Sequence, residues 1–138
     1  MRGDGDIDAQ SSELVVQASR VVRAVRRWIG HPAGNRILGL LDEHGPLGVT
    51  ALAEADYSSQ PTVSGAVSQL TEAGLVSKEP DPRDARRSVV QLTDLGRQYL
   101  VDARGEAGAL VAARLTRAGY TSEDVERAVA VLRAVMTD

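Results

Sequence analysis

The chain has no cysteine and no phenylalanine, and aromatic residues occupy only 3% of its 138 positions. Without cysteine there is no disulfide, no thiolate metal site and no thiol redox sensor. With so few rings the core has to come from Leu, Val, Ile and Ala. No apolar run approaches the roughly 20 residues of a membrane span. The opening MRGDGDIDAQSS is polar and acidic, unlike the basic and then apolar start of a signal peptide. A soluble cytoplasmic protein is expected. Histidine is scarce too: His31 and His44 are the only two. Each is expected at a helix end, near carbonyls or solvent, so no metal site is expected. Nucleophile elbow, Gly-rich phosphate loop and metal-ligand spacing are all missing. Neither an enzyme nor a cofactor is expected.

Net charge is −3, so any affinity for phosphates would have to be local. Two concentrations of positive charge exist. Arg20, Arg23, Arg26, Arg27 and Arg36 lie in a stretch with no acid, and Arg83, Arg86 and Arg87 surround only Asp84.

A length of 138 residues suits one domain, here expected over 12–138 behind a disordered arm at 1–11. Ser11 or Ser12 is placed to cap a first helix running to Ile29 and stopped by Gly30. Its apolar positions are Leu14, Ala18, Val21, Val22, Val25 and Ile29; Arg20, Arg23 and Arg27 fall on another face, either simply solvated or set near a dimer axis to contact DNA backbone or an anionic ligand. A second helix is expected over Ala33–His44 and a short third over Val49–Ala55. The fourth, Gln60–Ala73, has Ser59 as cap, Pro61 in its first turn and Gly74 as stop. Val63, Ala66, Val67 and Leu70 share one face of it. Pro61, Gly65, Ser68 and Glu72 point the other way, with Thr62, Ser64 and Gln69 on the flanks. That outward face is small and polar, as close approach to a groove wall requires.

Two alternating strands follow, Leu75–Glu79 and Ser88–Thr93, joined by a Pro/Asp/Arg-rich turn. Thr93 caps a long helix over Asp94–Ala118, in which Gly105 and Gly108 suggest a bend or a close crossing. Thr121 and Asp124 read as the capping box of a last helix with Val125, Val129, Leu132 and Met136 inward. The fold class is therefore mainly α with a small β-wing: a helix-turn-helix with a wing over about 33–93, flanked by helices at about 12–30 and 94–137. Those flanking helices carry more apolar surface than so small a core needs, which points to a second chain.

The segments HGPLGVTALA, SSQPTVSGAVSQLTEAGLV and above all DPRDARRSVVQLTDLG resemble the multiple-antibiotic-resistance regulator (MarR) family of winged-helix transcription factors. The likeness runs from about Leu14 to the C-terminus. It implies a homodimer joined through the first and last two helices, binding double-stranded DNA at a pseudo-palindromic operator, usually as a repressor. It further implies that Ser59, Gln60, Pro61, Thr62 and Ser64 begin the recognition helix, with Ser68 and Gln69 further along it, and that Arg83, Asp84, Arg86 and Arg87 form the wing. Gln can pair with adenine and Arg suits a narrow minor groove; Asp84 is better suited to orienting an arginine than to touching DNA. Relatives take small effectors between the dimer helices and the winged domain, so a small aromatic or anionic effector near Trp28 and Tyr57 is one option, with core packing of Trp28 the other. One departure stands out. Many relatives place Arg or Lys directly after the TVS triplet, where this chain has Gly65. The alternative reading is accordingly a winged-helix module for protein partners with weak or lost DNA binding.

Overall fold

The computed structural model describes residues 4–29 and 32–137. Gly30 and His31, and the side chain of Ile29, lie outside the described residues. The elements are α1 (Asp4–Ile29), α2 (Pro32–His44), α3 (Val49–Asp56), α4 (Gln60–Glu72), β1 (Val76–Asp81), β2 (Asp84–Leu92), α5 (Asp94–Arg117) and α6 (Ser122–Val135). Packing divides the chain into two compact units, Met1–Arg104 and Gly105–Asp138.

The first unit holds an aliphatic core. Ile37, Leu38 and Leu41 of α2, Leu52 and Ala53 of α3, and Val63, Val67 and Leu70 of α4 are buried together with Val76, Val90, Leu92 and Leu100. No polar or charged residue is buried among the described residues. The α4 periodicity expected from sequence holds, with Ala66 half-buried at the edge. α4 ends where the Leu75 amide reaches back to the Leu70 carbonyl, a return made possible by Gly74 at φ +77°.

β1 and β2 pair antiparallel, and Leu47 bridges Val90 on the other side of β2. The hairpin is longer than its sequence suggests. Pro80 pairs with Ser88, and Asp81 then pairs directly with Asp84, leaving Pro82 and Arg83 as the turn. The jump in register makes Ala85, Arg86 and Arg87 a bulge on β2. Pro80 and Asp81 looked like turn residues because their neighbours are, whereas strand pairing is decided across the ladder.

α1 departs from expectation at its start. Residues 4–11, expected as an irregular arm, are helical. Ser12 does not cap the helix; its hydroxyl donates to the Asp8 carbonyl inside it. Asp6 and Asp8 suit the positive end of a helix that begins this early.

In the second unit, Thr121 and Asp124 form the expected capping box, each side chain meeting the other's backbone N–H. The face of α6 read as inward does not face a core: Val125, Val129, Leu132 and Met136 are 40%, 38%, 45% and 81% exposed. Val21 and Val22 of α1, also read as inward, are about half exposed. Nothing among the described residues lies within 4 Å of where a Cβ would stand on Gly105 or Gly108.

Candidate nucleic-acid interface

The residues singled out by sequence gather in two groups, both on the first unit. One is the N-terminal half of α4. Ser59 is its N-cap, with backbone in the extended region, and its hydroxyl accepts from the Thr62 amide at 3.3 Å. The Ser59 and Thr62 hydroxyls also lie 2.8 Å apart, so each is engaged by the other. Pro61 occupies a first-turn position whose amide would have had no helical partner. Gln60, Pro61, Thr62, Ser64, Gly65, Ser68 and Gln69 are all exposed, as is Glu72. This face carries no cation.

The second group is the wing tip. Asp81 takes the Arg83 amide at 2.9 Å, which fixes the turn. Asp84 accepts from the Arg86 amide and Nε, both at 3.1 Å, and from its Nη2 at 3.3 Å. Arg87 Nε stands 3.8 Å from the same carboxylate. The hydrogen bonds from the Arg86 side chain, then its backbone, hold the Asp84 carboxyl below the usual carboxylate range. The carboxylate thus braces two arginines whose side chains are 91% and 79% exposed. So exposed a pair adds little stability; it sets direction. Arg86 and Arg87 project because they sit in the bulge.

Three features escaped the sequence. Gln60 Nε2 donates to Thr50 Oγ1 across the turn at 3.0 Å. Asp56, at the end of α3, takes Arg36 Nε at 2.9 Å and Nη2 at 3.4 Å, and the Ser58 hydroxyl at 2.6 Å. Beside this pair lies an open cleft of about 530 Å³, lined among others by Arg26, Asn35, Arg36, Asp56, Tyr57 and Arg104. The Asn35 Oδ1 atom in it is buried without a hydrogen-bond partner among the described residues. Burial and the neighbouring Arg36 lower the Arg26 pKa, against the pull of Asp56, yet a guanidinium stays charged at neutral pH. Arg104, for its part, pairs with Asp42 at 2.8 Å. Trp28, 38% exposed, is not part of the buried core.

Gly65 has open space around it, with nothing within 4 Å of an added Cβ. A glycine there is therefore not demanded by packing. Gly65→Arg is expected to raise helix stability by about 0.5–1 kcal/mol and to tighten binding to any duplex about threefold to tenfold, with a steeper salt dependence. Thermal melts and titrations at two salt concentrations check both; unchanged affinity would mean that position 65 faces away from the phosphates.

A helix, a tight turn, a second helix with a small polar face, and a hairpin braced to project arginines together define a winged helix-turn-helix. Residues 35–88 match the MarR family. Over 60 residues the chain is 38% identical to the HTH-type transcriptional repressor NicR of Pseudomonas putida, a match spanning 44% of this chain and 38% of that repressor's length. The fold matches a MarR family protein from Bacillus stearothermophilus at 20% identity, with a TM-score of 0.73 and 99% of each chain covered. It also matches BpsR of Bordetella bronchiseptica, whose DNA binding is regulated by 6-hydroxynicotinic acid, at 21% identity and TM-score 0.61, covering 92% of this chain and 93% of that one. At such identities the likeness to the solved structures is one of fold.

Proposed function

We propose that the chain is a sequence-specific DNA-binding transcriptional regulator of the cytoplasm, acting as a homodimeric repressor on a pseudo-palindromic operator. The observation that carries this reading is the pairing, on a winged helix that matches the MarR family over residues 35–88, of an exposed α4 face of small polar side chains with a wing whose arginines are held outward by Asp84. Ser59, Gln60, Pro61, Thr62, Ser64, Ser68 and Gln69 would line the major groove, and Arg83, Arg86 and Arg87 the flanking minor groove, with Asp84 as brace. Dimerisation is supported by apolar side chains left in water by a single chain, among them Val15, Val16, Val21 and Val22 of α1 and Val129, Leu132 and Val135 of α6. In a two-fold dimer the paired α4 helices would enter successive major grooves about 34–36 Å apart.

Release by a small anionic effector fits the cleft beside Arg26 and Arg36. A carboxylate entering it would compete with Asp56 for Arg36, loosening the turn that leads into α4. The relative BpsR, which responds to an aromatic acid, makes such a ligand class reasonable to test.

The decisive experiment is fluorescence anisotropy with DNA from upstream of the protein's own gene against a scrambled duplex, each at two salt concentrations. Tighter, salt-sensitive binding to the native duplex is expected. Equal, salt-insensitive behaviour would favour the second reading, a module for protein partners, which the absence of any cation on α4 supports. Arg86→Ala is expected to weaken binding about tenfold and to lower the salt slope by about one, with the dimer intact by sedimentation. Unchanged affinity would remove the wing from the interface.

A further inference from the structure

Gln60 is the side chain at the start of α4 best suited to reading a base, and it is already hydrogen-bonded within the chain. Its Nε2 donates to the Thr50 hydroxyl of α3, ten residues earlier, at 3.0 Å. An amide nitrogen has two hydrogens. With one held by Thr50, the second and the Oε1 acceptor remain, which is the pair that adenine N7 and N6–H require. Thr50 stands two residues after the α3 N-cap, Gly48, and is exposed. Accepting through its oxygen leaves the Thr50 hydroxyl hydrogen available to a phosphate oxygen.

We propose that Thr50 is a positioning residue for sequence readout: it holds Gln60 in the orientation that selects adenine, and links that readout to a backbone phosphate. The proposal rests on the DNA-binding reading above. It predicts that specificity depends on a residue outside the recognition helix, on the helix before it.

The test begins by selecting duplexes from a random pool with the wild-type protein and locating the position at which Gln60→Ala loses base preference. Affinities are then measured for wild type, Thr50→Val and Thr50→Ser on the selected duplex, on one with adenine replaced at that position, and on one carrying 7-deazaadenine there. For wild type, removing N7 is expected to weaken binding about fivefold to tenfold. Thr50→Val, which keeps the branched shape and loses the hydroxyl, should show less than a twofold penalty and a flattened base preference, while Thr50→Ser restores both. If Thr50→Val keeps the full 7-deaza penalty and preference, the proposal is overturned. A uniform loss across all duplexes, with preference intact, overturns it equally and leaves Thr50 a phosphate contact only. Absence of any salt-dependent binding by the wild type would overturn the DNA-binding reading itself, and this proposal with it.

Discussion

Replacing Gly96 by alanine is expected to remove a large part of the protein's folding stability. The added carbon would overlap the carbonyl oxygen of Leu75 and stand 2.9 Å from its carbonyl carbon. Both are backbone atoms, so no rotamer change can relieve the overlap. The surroundings are equally fixed. Leu75 O accepts from the Thr93 amide at 3.1 Å, while the Leu75 amide donates to Leu70 O at 2.9 Å. The Thr93 hydroxyl donates to Gly74 O at 2.6 Å and accepts from the Gly96 amide at 3.0 Å. To admit a methyl group, the first turn of α5 must leave the base of the hairpin, breaking the cap and opening the core around Leu70, Val76, Leu92 and Leu100. Overpacking alone typically costs about 1–3 kcal/mol. With a backbone clash and lost hydrogen bonds added, about 4 kcal/mol or more is expected, a large part of the roughly 5–15 kcal/mol that holds a domain together. Urea unfolding followed by circular dichroism measures it, with Gly65→Ala, which meets nothing, as the control. A stability within 0.5 kcal/mol of wild type would show that α5 and Leu75 can part without consequence.

Features set by neighbouring residues were legible in the sequence. Ser59, Thr93 and Thr121 cap the helices that follow them, and Gly74 and Gly119 adopt positive φ after helices they were expected to end. A cap or a stop needs only the few residues around it, and the α4 face needs only its own periodicity. What escaped depends on distance along the chain. Thr50 and Gln60 are ten residues apart and Arg36 and Asp56 twenty, so only the folded turn brings them together. The wing bulge depends on how Pro80 and Asp81 choose partners across the ladder. α6 has the periodicity of a packed helix and no buried residue, because an apolar stripe says that something covers it and not whether that is the same chain. Gly96 shows both sides: as the last residue of the LTDLG junction it was visible, but the carbonyl it must accommodate lies 21 positions earlier.

Asp56 is where turn geometry, charge and acidity meet. Its side chain is 6% exposed, and it bonds Arg36 of α2 and Ser58 within the turn between α3 and α4. Directly after it Tyr57 adopts a left-handed backbone, φ 53° and ψ 37°, and two residues on Ser59 opens α4. Asp56→Ala would leave the Arg36 guanidinium, with a side chain 28% exposed, without its partner. A loss of about 3 kcal/mol is expected, at the lower end for a broken buried pair because Arg36 still reaches water. DNA affinity should fall with it, since the entry to α4 loses its anchor. The pH dependence separates charge from packing. Burial pushes the Asp56 carboxyl up, but the hydrogen bonds from Arg36 and Ser58, with the charges of Arg36 and Arg26, outweigh it and leave the group below its ordinary value. A carboxyl depressed in the folded state contributes its stability fully above the unfolded pKa of about 3.9, and that contribution is lost as pH falls through the lower folded value. The gap between wild type and Asp56→Asn should therefore be widest and constant from about pH 5 to 7 and should narrow below about pH 4. Urea unfolding of both proteins at pH 7, 5 and 3.5 reads it directly. A gap that does not change with pH would mean that Asp56 holds the turn by shape and hydrogen bonding alone.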